Sequence, residues 1–115
     1  MKITIYQKPT CTTCRRTMAI LKESGVDFEA MNYYIDPIPK KKLKELLAKM
    51  KMEPRALLRT NEPIYKQLKL AQKNLSDEEL IDLMVRYPDL IQRPIVEKGK
   101  KAILARPPER IREIL

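Results

Sequence analysis

A strand, a turn and the start of a helix follow one another in residues 3–15, Ile3-Thr-Ile-Tyr-Gln-Lys-Pro-Thr-Cys-Thr-Thr-Cys-Arg15. The β-branched alternation at the beginning of this stretch predicts a strand, and the apolar spacing from Cys14 to Leu21 predicts a helix. Cys11 therefore lies where the helix begins. Unpaired backbone N–H groups and the positive end of the helix dipole favour a thiolate there, and a thiolate is a nucleophile.

The residues after this stretch predict a second strand and a helical middle. Gly25 is placed to end the first helix, and alternation over 26–30 predicts a strand parallel to the first one. Helical patterns then fill the region from about 38 to 90. The clearest helix has Ser76 as its N-cap and Glu79 at the third helical position, which is the sequence pattern of a capping box.

The C-terminal part predicts two more strands and a last helix. Ile95-Val96 and Ala102–Leu104 surround a turn that contains Gly99, which predicts an antiparallel hairpin. Pro107-Pro108 permits a helix start. We expect its apolar residues to pack on the sheet: Ile111, Ile114 and Leu115.

The order of these elements predicts an α/β protein with a thioredoxin-like fold. The sheet is expected to be four-stranded and mixed, in the order β-α-β … β-β-α, with a helical insertion at about 38–90. At 115 residues the chain fits a single domain, 1–115. In this fold the redox cysteine motif follows the first strand, although the fold alone does not establish an activity.

The composition indicates which kinds of partner the protein can bind. The chain has 24 Lys and Arg against 15 Asp and Glu, a net charge of +9, which favours an anionic partner or substrate. Basic residues are spread along the chain and aromatic residues are only 5%, which argues against a nucleic-acid-binding face. No apolar run approaches membrane-spanning length and no leader pattern is present, so we expect a cytoplasmic protein without a membrane partner.

Cys11 and Cys14 are the first candidate site. In the cytoplasm, two cysteines at this spacing are more often catalytic, redox-active or metal-binding than structural. The chain has no histidine and no second cysteine pair, so no metal site is expected. Residues at i and i+3 of a helix are close enough to form a small-loop disulfide. Cys14 also begins the apolar stripe of its helix, so a purely structural role for Cys14 stays open.

Three arginines are the second candidate site: Arg59, Arg93 and Arg106. Each lies beside a proline or in an irregular segment. The planar guanidinium binds tetrahedral oxyanions through two parallel hydrogen bonds, so three converging arginines would form a strong anion site. Their spacing alone does not show that they converge.

Five stretches carry a resemblance to a known family. They are Ile3–Arg15, Arg55–Tyr65, Leu75–Met84, Leu90–Val96 and Ala102–Glu109. Together they resemble the glutaredoxin-coupled class of arsenate reductases over nearly the whole chain. The resemblance implies a thioredoxin-like fold with a helical insertion.

The same resemblance implies roles for individual residues. Cys11 would attack arsenate, and Arg59, Arg93 and Arg106 would bind the oxyanion, with Arg15 as a further substrate-binding candidate. The Arg93-Pro94 peptide would be cis and face the cysteine loop. No bound cofactor would be needed, because glutathione, glutaredoxin or thioredoxin would supply the electrons.

Two residues depart from the pattern of this class. Gln7 stands where a histidine is typical, and Cys14 stands where a serine is typical. The second departure offers an internal thiol that could resolve the arsenic adduct on Cys11. We therefore expect a Cys11–Cys14 disulfide that thioredoxin or a glutaredoxin reduces.

Two other functions share parts of this pattern. The CxxC motif also resembles the Spx-type regulators, which bind RNA polymerase and use the motif as a redox switch. A general thiol-disulfide oxidoreductase is the third possibility. Residues 57–63 and 105–108, which retain Arg59 and Arg106, resemble the reductases and favour the arsenate reductase.

Overall fold

The computed structural model describes residues 2–115, which form two units. The first unit combines the N-terminal residues up to Asp36 with Arg93–Leu115, and the second is Pro37–Gln92. The second unit includes the region predicted as a helical insertion.

The first unit is built on a four-stranded sheet. Its strands are β1 (Ile3–Gln7), β2 (Phe28–Asn32), β3 (Ile95–Lys98) and β4 (Lys101–Leu104), in the order β2-β1-β3-β4. β1 pairs with β2 in parallel, and the other two pairings are antiparallel. The predicted mixed sheet is therefore confirmed. The left-handed φ of +71° at Gly25 lets the chain turn from the helix toward β2, as predicted.

One face of this sheet is covered by α1 (Thr12–Glu23) and a C-terminal 3₁₀ helix (Pro108–Glu113). Strand residues alternate between faces, which places Ile3 and Ile5 together in the core. Ile111 and Ile114 pack into the same cluster, as expected. The expectation for Leu115 was wrong, because this last residue is 39% exposed.

The second unit contains four α-helices and two 3₁₀ helices. The α-helices are α2 (Lys40–Met50), α3 (Pro54–Leu57), α4 (Pro63–Gln67) and α5 (Asp77–Arg86), and the 3₁₀ helices are Leu70–Gln72 and Pro88–Leu90. α3 and α4 each begin at a proline, whose fixed φ suits the first helical position. The apolar faces of α2 and α5 are buried.

The start of α5 carries the predicted capping box. The Ser76 hydroxyl accepts a hydrogen bond from the Glu79 N–H at 3.2 Å, and the Glu79 carboxylate accepts one from the Ser76 N–H at 3.1 Å. Such an N-cap contributes about 1 kcal/mol to helix stability.

Within residues 2–115, no helix is long and apolar enough to cross a membrane. The same residues contain no cluster of three or more His, Cys, Asp or Glu side chains that could hold a metal ion.

Candidate active site

Cys11 is the N-cap residue of α1. Its backbone is extended, and its Sγ accepts a hydrogen bond from the Cys14 N–H at 3.4 Å. Its own N–H donates to the Lys8 carbonyl at 2.9 Å, which closes the turn between β1 and the helix. The first turn of α1 contains no acidic residue that would oppose an anion here. The helix start therefore presents backbone N–H groups and the positive end of its dipole to the sulfur.

The Cys11 thiol is shifted toward the thiolate. Burial is the largest single influence and raises the pKa of Cys11. Four influences together outweigh burial and lower the pKa of Cys11 below its usual value. They are hydrogen bonds from the Cys14 thiol and from the Cys14 N–H, a hydrogen bond from Arg93, and the charge of Arg93. Since Cys11 is also partly exposed, the sulfur is both ionised more easily and accessible.

Cys14 lies in the opposite environment. Its side chain is completely buried, and burial is the main reason that its pKa is raised to about 12. The hydrogen bond to Cys11 and the charge of the Cys11 thiolate raise the pKa of Cys14 further. Both cysteines are free thiols in this structure. Cys11 is therefore the more easily ionised of the two thiols, and Cys14 stays protonated near neutral pH.

Arg93 is brought to this sulfur by the residues that precede β3. The side chain is only 6% exposed, and its guanidinium hydrogen-bonds to Cys11 and to Tyr33. Burial lowers the pKa of Arg93, but Tyr33, Tyr34 and Cys11 outweigh it, so that the pKa is raised and the charge is retained. The Arg93-Pro94 peptide is cis, which confirms that part of the expectation from the family resemblance.

Arg106 supports the same region from the residues after β4. Its Nη1 donates a hydrogen bond to the Arg93 carbonyl at 2.8 Å. Two of the three predicted arginines are thus in contact, because the Arg106 guanidinium hydrogen-bonds to the backbone of Arg93. The Arg106-Pro107 peptide is also cis, which the sequence did not indicate.

Arg59 and Arg15 are held differently. Arg59 belongs to the second unit, where its Nε pairs with Glu62 Oε1 at 2.8 Å and its backbone N–H donates to the Leu90 carbonyl. Its convergence on Cys11 stays a prediction. Arg15 is exposed on the first turn of α1, with its N–H bonded to the Cys11 carbonyl.

Tyr33 and Tyr34 lie beside the cysteine loop, and the sequence analysis did not single them out. Tyr33 contacts Arg93, while the Lys8 Nζ lies 4.8 Å from the centre of the Tyr34 ring. The predicted parallel pairing of the first two strands could have indicated their position. β2 is parallel to β1 and ends beside it, so residues just after β2 meet the loop just after β1.

Gln7, at the end of β1, is buried at the position where the resemblance leads one to expect a histidine. Its side chain is 5% exposed, and among residues 2–115 its Oε1 has no hydrogen-bond partner. The chain contains no histidine at all. No imidazole therefore titrates near Cys11.

This arrangement suits nucleophilic attack on an oxyanion. A partly exposed thiol of lowered pKa lies beside a buried guanidinium and a helix N-terminus, and the two latter groups bind negatively charged oxygens. A tetrahedral anion bound there would present its central atom to the sulfur, and Cys14 supplies a second thiol one helical turn away.

Comparison with known proteins gives consistent results. The sequence matches the ArsC family over residues 6–114. It is 42% identical to the Escherichia coli K12 protein described as "Uncharacterized protein YfgD", over 99% of this chain and 97% of that protein. It is 41% identical to an Escherichia coli arsenate reductase, over 98% of this chain and 80% of the reductase. The solved structure of an arsenate reductase from Vibrio cholerae superimposes with a TM-score of 0.95 at 37% identity, covering all of this chain and 98% of that one.

Proposed function

Because this chain belongs to the ArsC family, we propose that it is an arsenate reductase in which Cys11 is the nucleophile. The observation that carries this proposal is the contact between Arg93 and a Cys11 sulfur whose pKa is lowered. Arsenate resembles phosphate in charge and shape, and arginine forks and helix N-termini are the usual protein groups that bind such anions.

In this proposal, arsenate binds between the helix start and the arginines. Arg93 would donate to one or two arsenate oxygens while it keeps Cys11 ionised. We assign Arg59, Arg106 and Arg15 to the same anion as further donors, with Arg106 also supporting the Arg93 backbone. The charge of the substrate is neutralised in the bound state, so the thiolate and the anion can approach each other.

The chemistry needs two thiols. The Cys11 thiolate displaces one oxygen of arsenate, which leaves as water after protonation, and an S–As bond forms. A second thiol then attacks the Cys11 sulfur. The S–As electron pair stays on arsenic, so As(V) becomes As(III) as a disulfide forms. Per cycle, one arsenate and two thiols give one arsenite, one disulfide and one water.

We assign the second thiol to Cys14. Its raised pKa of about 12, caused first by burial, keeps it protonated while Cys11 attacks. Once Cys11 is bonded to arsenic it no longer carries a negative charge, and one of the influences that raise the pKa of Cys14 disappears. Formation of the adduct thus favours ionisation of Cys14 at the moment when a second nucleophile is required.

Electrons would enter from another thiol protein, because the Cys11–Cys14 disulfide must be reduced for the next cycle. Thioredoxin or a glutaredoxin with glutathione can do this by thiol-disulfide exchange. The proposal requires no bound cofactor.

The test is arsenate-dependent consumption of reductant by the purified protein, measured with thioredoxin and with glutathione plus glutaredoxin. We expect wild-type turnover with thioredoxin, and we expect Cys14→Ser to lower that turnover at least about tenfold while glutathione plus glutaredoxin still supports activity. Unchanged thioredoxin-dependent activity in Cys14→Ser would remove Cys14 from the mechanism.

The same assay separates the proposed function from the other thiol functions. A general oxidoreductase would reduce a model protein disulfide, such as that of insulin, at the same rate with and without arsenate. A regulator of the Spx type would co-purify with RNA polymerase and would not turn over arsenate. Either result, without arsenate-dependent turnover, would overturn the proposal.

A further inference from the structure

Tyr33 begins a turn that carries it to the cysteine loop. β1 and β2 pair in parallel with Gln7 opposite Asn32, so the residue after each strand leaves the sheet at the same edge. The Asn32 Oδ1 accepts a hydrogen bond from the Tyr34 N–H at 3.0 Å, and the Asn32 carbonyl accepts from the N–H groups of Ile35 and Asp36. This Asx turn fixes the backbone of Tyr33 beside the active site.

The Tyr33 side chain is buried rather than solvated. It is 1% exposed, and its ring lies 5.0 Å from that of Tyr34 between centroids. A buried phenol normally keeps a hydrogen-bond partner for its oxygen. Here the partner is the Arg93 guanidinium. A guanidinium has no acceptor atom, so Arg93 donates and the Tyr33 oxygen accepts.

The same guanidinium also contacts the Cys11 sulfur. An arginine side chain has several rotatable bonds, and holding it in one orientation requires a fixed partner. The Arg106 side chain donates to the Arg93 backbone carbonyl, so this hydrogen bond does not orient the Arg93 guanidinium. Tyr33 does so, because its ring is packed and its backbone is held by the turn.

We propose that Tyr33 is a positioning residue that holds the Arg93 guanidinium against the Cys11 sulfur, and so sets both the ionisation of the thiol and the binding of the oxyanion. This inference rests on the proposed function for the role of Cys11. It assigns a task to a tyrosine that no sequence pattern indicates.

The test is Tyr33→Phe, which removes the oxygen and keeps the packed ring. We expect the pH midpoint of Cys11 alkylation by iodoacetamide, located by peptide mass spectrometry, to move upward, since Arg93 lowers the pKa of Cys11 less effectively when it is no longer held. We also expect the KM for arsenate to rise about threefold to tenfold, the usual net effect of losing one hydrogen bond.

The matched control is Tyr6→Phe. Tyr6 is also a buried tyrosine of the first unit, but its hydroxyl donates to Glu97 Oε1 at 3.3 Å. We expect this variant to leave both readouts unchanged. Thermal unfolding of each variant shows whether the fold is retained.

A double-mutant cycle tests whether Tyr33 acts through Arg93. In an Arg93→Ala background, Tyr33→Phe should change neither the alkylation midpoint nor the KM. Equal effects in both backgrounds, or a wild-type midpoint in folded Tyr33→Phe, would overturn the proposal. Alkylation needs no arsenate. If the protein does not reduce arsenate but Tyr33→Phe still shifts the pH midpoint of Cys11 alkylation, the proposed function is refuted and the role of Tyr33 is not.

A second readout needs no substitution of Tyr33. In arginine-selective ¹⁵N NMR of the wild-type protein, we expect slow rotation of the Arg93 guanidinium, since an acceptor fixes its orientation. The exposed Arg112 provides the comparison within the same unit. An Arg93 guanidinium that rotates as freely as that of Arg112 would contradict the assignment.

Discussion

Replacing Cys11 with serine is expected to lower arsenate turnover more than about a thousandfold, as removal of a covalent nucleophile does in other enzymes. A serine hydroxyl is not ionised near neutral pH, and Arg93 and the helix dipole cannot supply the missing thiolate. The measurement is arsenite formation by the purified variant with either thiol reductant.

The serine variant should remain folded, which makes the loss of activity interpretable. Cys11 is an N-cap residue whose side chain accepts a hydrogen bond from the Cys14 N–H. Serine is among the best residues at that position and can accept the same hydrogen bond. We therefore expect an unfolding temperature at or above that of the wild type. A folded Cys11→Ser variant with more than about a tenth of wild-type turnover would assign the attack to another group.

Replacing Arg93 with alanine is expected to lower kcat/KM for arsenate about a hundredfold, the usual cost of losing one charged donor that stabilises a reacting oxyanion. The KM should rise because the guanidinium proposed to bind arsenate is gone. The Arg106 side chain bonds to the Arg93 carbonyl, which alanine retains, so the backbone beside the site keeps this support.

The pH dependence of the Arg93→Ala variant follows from the pKa of Cys11. Arg93 lowers that pKa by a hydrogen bond and by its charge, so its removal raises the pKa and leaves less thiolate at neutral pH. The rate should recover as the pH rises through the new, higher pKa, while the raised KM persists. A variant whose rate-pH profile coincides with that of the wild type would contradict the contact with Cys11.

Two controls separate the effect of charge from the effect of side-chain geometry. Arg112→Ala removes the same charge from an exposed position of the same unit and should leave kcat/KM unchanged. Arg93→Lys keeps the charge but not the planar fork, so we expect activity between that of the wild type and that of the alanine variant.

Local sequence patterns were sufficient for most of the fold. The alternation in β1, the capping box at Ser76 and the glycine at 25 each depend on nearby residues, and each was confirmed. The position of Cys11 at the start of α1 follows from the same local signals. Such features can be predicted because the interactions that stabilise them span only a few residues.

Contacts between distant residues could not be predicted in this way. The meeting of Tyr33 with Arg93 depends on strand order, since β3 lies beside β1 only in the folded sheet. The complete burial of Cys14, which decides its protonation, likewise depends on packing.

The lysine at the start of α2 is a further example, because cations are disfavoured at a helix N-terminus. Lys40 Nζ pairs there with Glu78 Oε2 at 2.9 Å and with Asp82 Oδ1 at 2.8 Å, both on α5. These ion pairs offset the unfavourable interaction between the Lys40 charge and the dipole of α2. No local pattern in the sequence indicates them.

A single-turnover experiment shows whether the Cys11–Cys14 pair itself reduces arsenate. The fully reduced protein is mixed with arsenate and no other reductant, and arsenite and the intact mass of the chain are measured. We predict one arsenite per chain and a protein lighter by two hydrogen atoms, with peptide mapping that locates a Cys11–Cys14 disulfide. Reduced protein that binds arsenate but releases no arsenite and keeps both thiols would show that this cysteine pair does not reduce arsenate.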